Sequence, residues 1–173
     1  MDLTDVIDFA DQADKEIGKY RVDFSISPAL LTSNTYPIPA LNWQSIKYGE
    51  AEIDQVPADR RGVYAFSICH PSAVLPPHGY VLYIGIAGRK SDRSLNSRYR
   101  DYLSKSSLLK RARIARMIAN WHEVLRFNFA PVENSVTSEQ LEELEAQLNT
   151  AMLPPFSEGD LQADIKMKRR AFR

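Results

Sequence analysis

The sequence predicts a mixed α/β (α+β) fold, and three observations carry that expectation. GVYAFSI at 62–68 and YVLYIGIA at 80–87 are rich in β-branched and aromatic residues and read as two strands of a hairpin. Residues 124–131 alternate as a third strand. Segments with helical spacing stand before, between and after these strands.

The elements follow in chain order. Over residues 1–19, Leu3, Val6, Phe9, Ala10, Ala13 and Ile17 recur at helical spacing, with Asp2, Asp5, Asp8, Asp11 and Asp14 largely opposite. Residues 28–39 are rich in Pro, Ser, Thr and Asn and read as a loop. LNWQSIKYGEAEI at 41–53 is compatible with a strand or two, and residues 57–61 read as a turn. Between the two hairpin strands, CHPSAVLPPHG holds three prolines and must be a loop. After the polar stretch 88–94, residues 95–103 and 107–120 have helical spacing. A last helix starts near Thr137, where Thr137 and Gln140 fit a capping box, and stops before Pro154-Pro155. KMKRRAFR at the end reads as a basic tail.

Composition excludes several classes. The 173 residues are 44% hydrophobic and 25% charged, which suits a globular core rather than a disordered chain. No apolar run approaches the ~18–20 residues of a membrane span, so no membrane partner is expected. The acidic N-terminus has no uninterrupted apolar core and does not read as a secretory signal. Cys69 is the single cysteine, which excludes an intrachain disulfide and a Cys-cluster zinc site and fits the reducing cytoplasm. The zero net charge is unevenly spread. Residues 1–60 carry 5 Lys+Arg against 11 Asp+Glu, and residues 61–173 carry 17 against 11. A basic segment behind an acidic one suits a polyanion partner, or else two solvated surfaces of opposite sign.

Two charged residues lie where the pattern asks for carbon. On the last helix Leu141, Leu144, Leu148 and Met152 form one stripe, and Glu145 falls inside it at about 40°. A carboxylate there either snorkels at the edge or has a partner or a cation. On the helix over 95–103, Arg98 shares a face with Leu95, Tyr99 and Tyr102. A guanidinium among aromatics suits a phosphate; it equally suits a cation–π contact or an ion pair with Glu145. Tyr64 and Tyr83 sit near the middle of the hairpin strands, where each is also an ordinary core aromatic. Two tyrosines, one arginine and one carboxylate form a set able to cleave a phosphodiester with a divalent cation.

Four segments in this order carry a resemblance: GVY at 62–64, YIG at 83–85, SLNSRYRDYL at 94–103 and LEAQLNTAMLPPFS at 144–157. The chain resembles the GIY-YIG nuclease family over about residues 61–157. The resemblance implies a small three-stranded antiparallel sheet flanked by helices and a metal-dependent endonuclease that hydrolyses DNA. It implies catalytic roles for Tyr64, Tyr83, Arg98 and Glu145. Glu145 would be the ligand of Mg²⁺ or Mn²⁺, Arg98 the phosphate contact, and Tyr64 the residue that activates or orients water. Gly85 would allow close approach of the backbone, and Tyr102 matches a position where relatives carry Tyr or His. Arg89, Lys90, Lys110 and Arg113 complete the expected substrate-binding set. DNA is the expected partner, with no small-molecule cofactor.

The chain then divides into an N-terminal extension at 1–60, the nuclease-like unit at 61–158 and a basic tail at 159–173. Two departures stand out. Eighteen residues separate Tyr64 from Tyr83, more than in the family pattern, and Ser157 stands where many members carry Asn. They motivate a second reading, a nucleic-acid-binding or interaction module of the same fold with weak or no chemistry. A third reading lets the acidic first helix cover the basic face.

Overall fold

The computed structural model describes residues 4–32, 36–38, 40–69, 74, 76, 78–89, 93–157, 161 and 163–170. Strands β1 (Gln44–Lys47), β2 (Gly62–Ile68), β3 (Tyr80–Ala87) and β4 (Leu125–Pro131) form one antiparallel sheet in the order β1-β4-β2-β3. Seven helices accompany it among the described residues: α1 (Thr4–Glu16), α2 (Pro28–Thr32), α3 (Leu95–Leu103), α4 (Lys105–Leu108), α5 (Ala112–Trp121), α6 (Ser138–Met152) and α7 (Ala163–Arg170). No helix among the described residues is long and apolar enough to cross a membrane.

The sheet thus has four strands where three were expected. The fourth, β1, comes from the 41–53 stretch and pairs Ile46 with Phe127, which buries Ile46 completely. The segment behind it is tied to α3. Asn96 donates through Nδ2 to the carbonyls of Ile53 and Val56, both at 3.0 Å, and Tyr48 donates to the Tyr102 carbonyl at 2.6 Å. Residues 48–56 therefore hold both the first turn and the last turn of α3.

The two faces of the sheet are packed differently. One carries an aromatic core of Tyr64, Phe66, Phe127 and Phe129, closed by Tyr99 and Tyr102 of α3. The other carries Val63 and Ile86 under Leu141 and Leu144 of α6. Burying a side chain of this size is worth roughly 1.5–3 kcal/mol, so these two clusters dominate the stability.

Helix α6 has its expected capping box: Thr137 Oγ1 accepts from the Gln140 amide at 3.2 Å, and Gln140 Oε1 accepts from the Thr137 amide at 2.9 Å. It ends on Leu153 at φ 45°, a left-handed cap that turns the chain into Pro154-Pro155. Phe156 then donates to the Leu82 carbonyl at 3.0 Å, which returns the chain to β3.

Four local features differ from the sequence reading. Pro28 to Thr32 is helical rather than loop, because Pro28 opens the turn and Ser27 Oγ accepts from the Leu30 amide at 3.4 Å. The helix expected over 107–120 is broken into α4 and α5 at Leu109–Arg111, where Arg111 leaves helical geometry at φ −133° and ψ 71°. The basic tail includes α7, a run of good helix formers whose Ile165 faces a cavity. Helix α1 is amphipathic as expected, yet it buries no residue, and Phe9 is 73% exposed.

Candidate active site

Tyr64 stands at the centre of the candidate site because of strand register. Its cross-strand neighbours are Gly85 on β3 and Phe129 on β4. A Cβ at Gly85 would lie 2.5 Å from the Tyr64 hydroxyl and 2.7 Å from its ring carbon. Glycine at 85 is what lets the Tyr64 ring cross over β3. The close approach expected at Gly85 is thus made by a side chain of the protein itself.

Helix α3 supplies the groups above that ring. Ser94 caps the helix by accepting from the Ser97 amide, and Arg98 and Tyr102 follow one turn apart on the face toward the sheet. Arg98 Nε donates to the Tyr64 hydroxyl at 3.0 Å, and the Tyr64 and Tyr102 hydroxyls are hydrogen-bonded at 2.7 Å. The Tyr83 ring lies 6.2 Å from that of Tyr64 and 6.4 Å from that of Tyr102. Three phenols and one guanidinium therefore share one cluster, with Tyr64 and Tyr102 fully buried and Tyr83 and Arg98 partly so.

Burial pushes the Tyr64 phenol well above its ordinary range, and neighbouring Tyr102 raises it further, while Arg98 pulls it down. Tyr83 and Tyr102 are likewise raised by burial. Burial disfavours the Arg98 cation, but the surrounding phenols outweigh that and raise its pKa overall. The cluster holds neutral phenols around a permanent cation. An anion is the ligand such a site favours.

Glu145 reaches the site from α6. Arg61 anchors the start of that helix, donating to the Val136 carbonyl at 2.5 Å and to Ser138 Oγ at 3.2 Å. Ser138 in turn donates to the Gly88 carbonyl at 3.3 Å. Two turns further on, Glu145 is 3% exposed and ion-paired with Arg89. Glu145 therefore does not snorkel. Its partner is Arg89 rather than Arg98, whose carboxylate is Asp101. Gly88 at φ 95° makes the turn that carries Arg89 back over α6. The charge of Glu145 also helps raise Tyr83, which links the carboxylate to the phenol cluster.

Two side chains of α6 carry the oxygen donors that a hard divalent cation would take. One turn past Glu145, Asn149 is fully buried and donates to the Glu145 carbonyl at 2.9 Å, while its Oδ1 has no hydrogen-bond partner. A carboxylate and an orphaned amide oxygen on one helix are oxygen donors of the kind Mg²⁺ or Mn²⁺ takes, with water completing the shell. Among the described residues there is no cluster of three or more His, Cys, Asp or Glu, so a cation here would rest on few protein ligands.

Three expected residues remain: Arg113, Lys110 and Lys90. Arg113 donates to the Pro155 carbonyl at 3.0 Å and lines a cavity of about 820 Å³ with Arg116, Trp121, Phe156 and Lys168. Lys110 is exposed in the α4–α5 connection. Lys90 lies outside the described residues. Ser157, at the position expected to support the site, accepts from the Ile84 amide at 3.1 Å and so fastens the end of α6 to β3 beside Gly85.

Sequence reading missed Asp101, Arg93 and Asn149. Asp101 binds Arg98, Arg93 and Arg111, and Asn149 lies four residues after Glu145. The i+3 spacing of Arg98 and Asp101 and the i+4 spacing of Glu145 and Asn149 were the signals available.

Comparison with family models, curated proteins and solved structures found no match to this chain.

Proposed function

We propose that the chain is a GIY-YIG-type nuclease: a metal-dependent endonuclease that hydrolyses DNA phosphodiester bonds. The observation that carries this reading is the Arg98–Tyr64 hydrogen bond at 3.0 Å, set beside Tyr83, whose phenol feels the charge of buried Glu145 on another helix. Arg98 binds the scissile phosphate and balances the charge that develops on it. Tyr64 orients the attacking water through its hydroxyl. It acts as a neutral phenol, because burial holds its proton well above the ordinary tyrosine range. Glu145 and Asn149 would hold the cation, which when bound stabilises charge on the departing oxygen. Water attacks phosphorus, the phosphorus–oxygen ester bond breaks, and the leaving oxygen takes up a proton.

For that role Glu145 must part from Arg89. A phosphate entering beside Arg98 offers Arg89 a replacement anion, so substrate binding and exposure of Glu145 go together. The same pairing favours the second reading, a DNA-binding module in which Arg89 permanently occupies the carboxylate. Supercoiled plasmid incubated with the protein separates the two. Nicking with Mg²⁺ or Mn²⁺ and none in EDTA supports the nuclease. Intact plasmid that is nevertheless shifted on a gel in EDTA supports the binding module.

A further inference from the structure

We propose that Arg93, Arg98 and Arg111, gathered by Asp101, form a clamp that binds successive phosphates of a nucleic-acid strand beside Tyr64. This rests on the reading of DNA as the partner and extends it to residues outside the phenol cluster. Arg93 Nη2 lies 2.7 Å from one Asp101 oxygen, and Arg98 Nη1 and Arg111 Nη2 each lie 3.4 Å from the other. The three arginines come from three places: the turn before α3, α3 itself and the break between α4 and α5. Arg98 meets Asp101 at ordinary i,i+3 helical spacing, whereas Arg93 and Arg111 lie outside α3 and are brought to it by the chain's path.

The charge is not balanced. Three guanidiniums on one carboxylate leave a local excess of two positive charges, which a purely structural ion pair does not need. Asp101 forms the floor of the group, with 15% of its side chain exposed against 41% for Arg93, 25% for Arg98 and 32% for Arg111. The Tyr102 ring holds two of the cations, with the Arg98 and Arg111 guanidinium carbons 5.7 and 5.3 Å from its centre. A guanidinium has five N–H donors, and each of these three uses no more than two in hydrogen bonds here. The unused donors and the excess charge suit phosphodiester oxygens.

The test is the salt dependence of DNA binding in EDTA, read by anisotropy of a short fluorescent duplex and of its single strand. Arg93→Ala and Arg111→Ala are each expected to weaken binding and to lower the slope of log K against log salt by about 0.9 on duplex, the value of one phosphate contact. Arg111→Lys keeps the charge and loses the planar fork; it is expected to keep the slope and lose affinity, and it serves if the alanine variant does not fold. Asp101→Asn is expected to weaken binding, because the arginines lose their common anchor. Tighter binding by Asp101→Asn would mean that charge alone matters and would overturn the clamp. Arg126→Ala is the control, since Arg126 bonds Ser45 at the β1–β4 pair. If Arg93→Ala and Arg111→Ala match that control, the clamp is wrong and DNA remains the partner. If the unaltered protein binds neither probe at low salt, the clamp and the DNA reading fall together.

Discussion

Arg98 Nε donates its proton to the hydroxyl of Tyr64 across 3.0 Å, and that hydroxyl is in turn bonded to Tyr102 at 2.7 Å. The guanidinium is thereby fixed in direction by a buried oxygen of the sheet. Tyr64→Phe keeps the ring in its aromatic cluster and removes only that oxygen. Its expected cost is about 1–3 kcal/mol of stability, from polar groups left unsatisfied. Plasmid nicking is expected to fall by at least tenfold, since both the orientation of water and that of Arg98 depend on the oxygen. Denaturant unfolding and nicking rates of Tyr64→Phe check the two together.

Gly85→Ala tests the register that builds this site. The new Cβ would press on the Tyr64 ring at 2.5–2.7 Å, and the ring is enclosed by the Phe66, Phe127 and Tyr102 rings. Overpacking of this kind costs about 1–3 kcal/mol and moves the ring away from Arg98. A lowered thermal midpoint with loss of DNA cleavage is expected. Unchanged stability and cleavage would show that Tyr64 does not occupy this position.

The buried phenols predict a loss of stability in alkali. Burial pushes the Tyr48 and Tyr99 phenols up to about 12, and raises Tyr64, Tyr83 and Tyr102 as well. Unfolded tyrosines release their protons near pH 10, whereas the folded chain retains them. The unfolded state then binds fewer protons, so stability is complete below about pH 10 and falls as pH rises through the folded values. Each phenol kept protonated contributes a slope of about 1.4 kcal/mol per pH unit across its window. Urea unfolding at stepped pH from neutral to strongly alkaline, with tyrosinate absorbance followed in parallel, measures the effect.

Much of this arrangement was legible in the sequence because it is local. Strand composition located β2, β3 and β4, and a hydroxyl-to-glutamine spacing located the start of α6. Helical periodicity singled out Arg98 and Glu145 as charges on buried faces, and both are where the pattern put them. What escaped depends on contacts between distant segments. A strand within 41–53 was legible, but its place as the fourth strand of the same sheet depends on pairing with β4, where Ile46 meets Phe127. The break that carries Arg111 onto Asp101 and Tyr102 is made by no proline or glycine, and the helical pattern of 107–120 hides it. The pairing of Glu145 with Arg89 spans 56 residues and follows from the turn at Gly88, which spacing does not reveal.

The most direct test of the central claim is a single-turnover comparison of the unaltered protein and Glu145→Gln on supercoiled plasmid, with Mg²⁺, Mn²⁺ and EDTA in parallel. Glutamine keeps the size and polarity of the side chain and removes the charge that a cation and Arg89 both need. Circular dichroism of the two proteins is expected to coincide, the unaltered protein is expected to nick only with a divalent cation, and Glu145→Gln is expected to leave the plasmid intact under all three conditions. Cation-dependent nicking by Glu145→Gln at the rate of the unaltered protein would contradict the assignment of Glu145, and with it the proposed chemistry of this site.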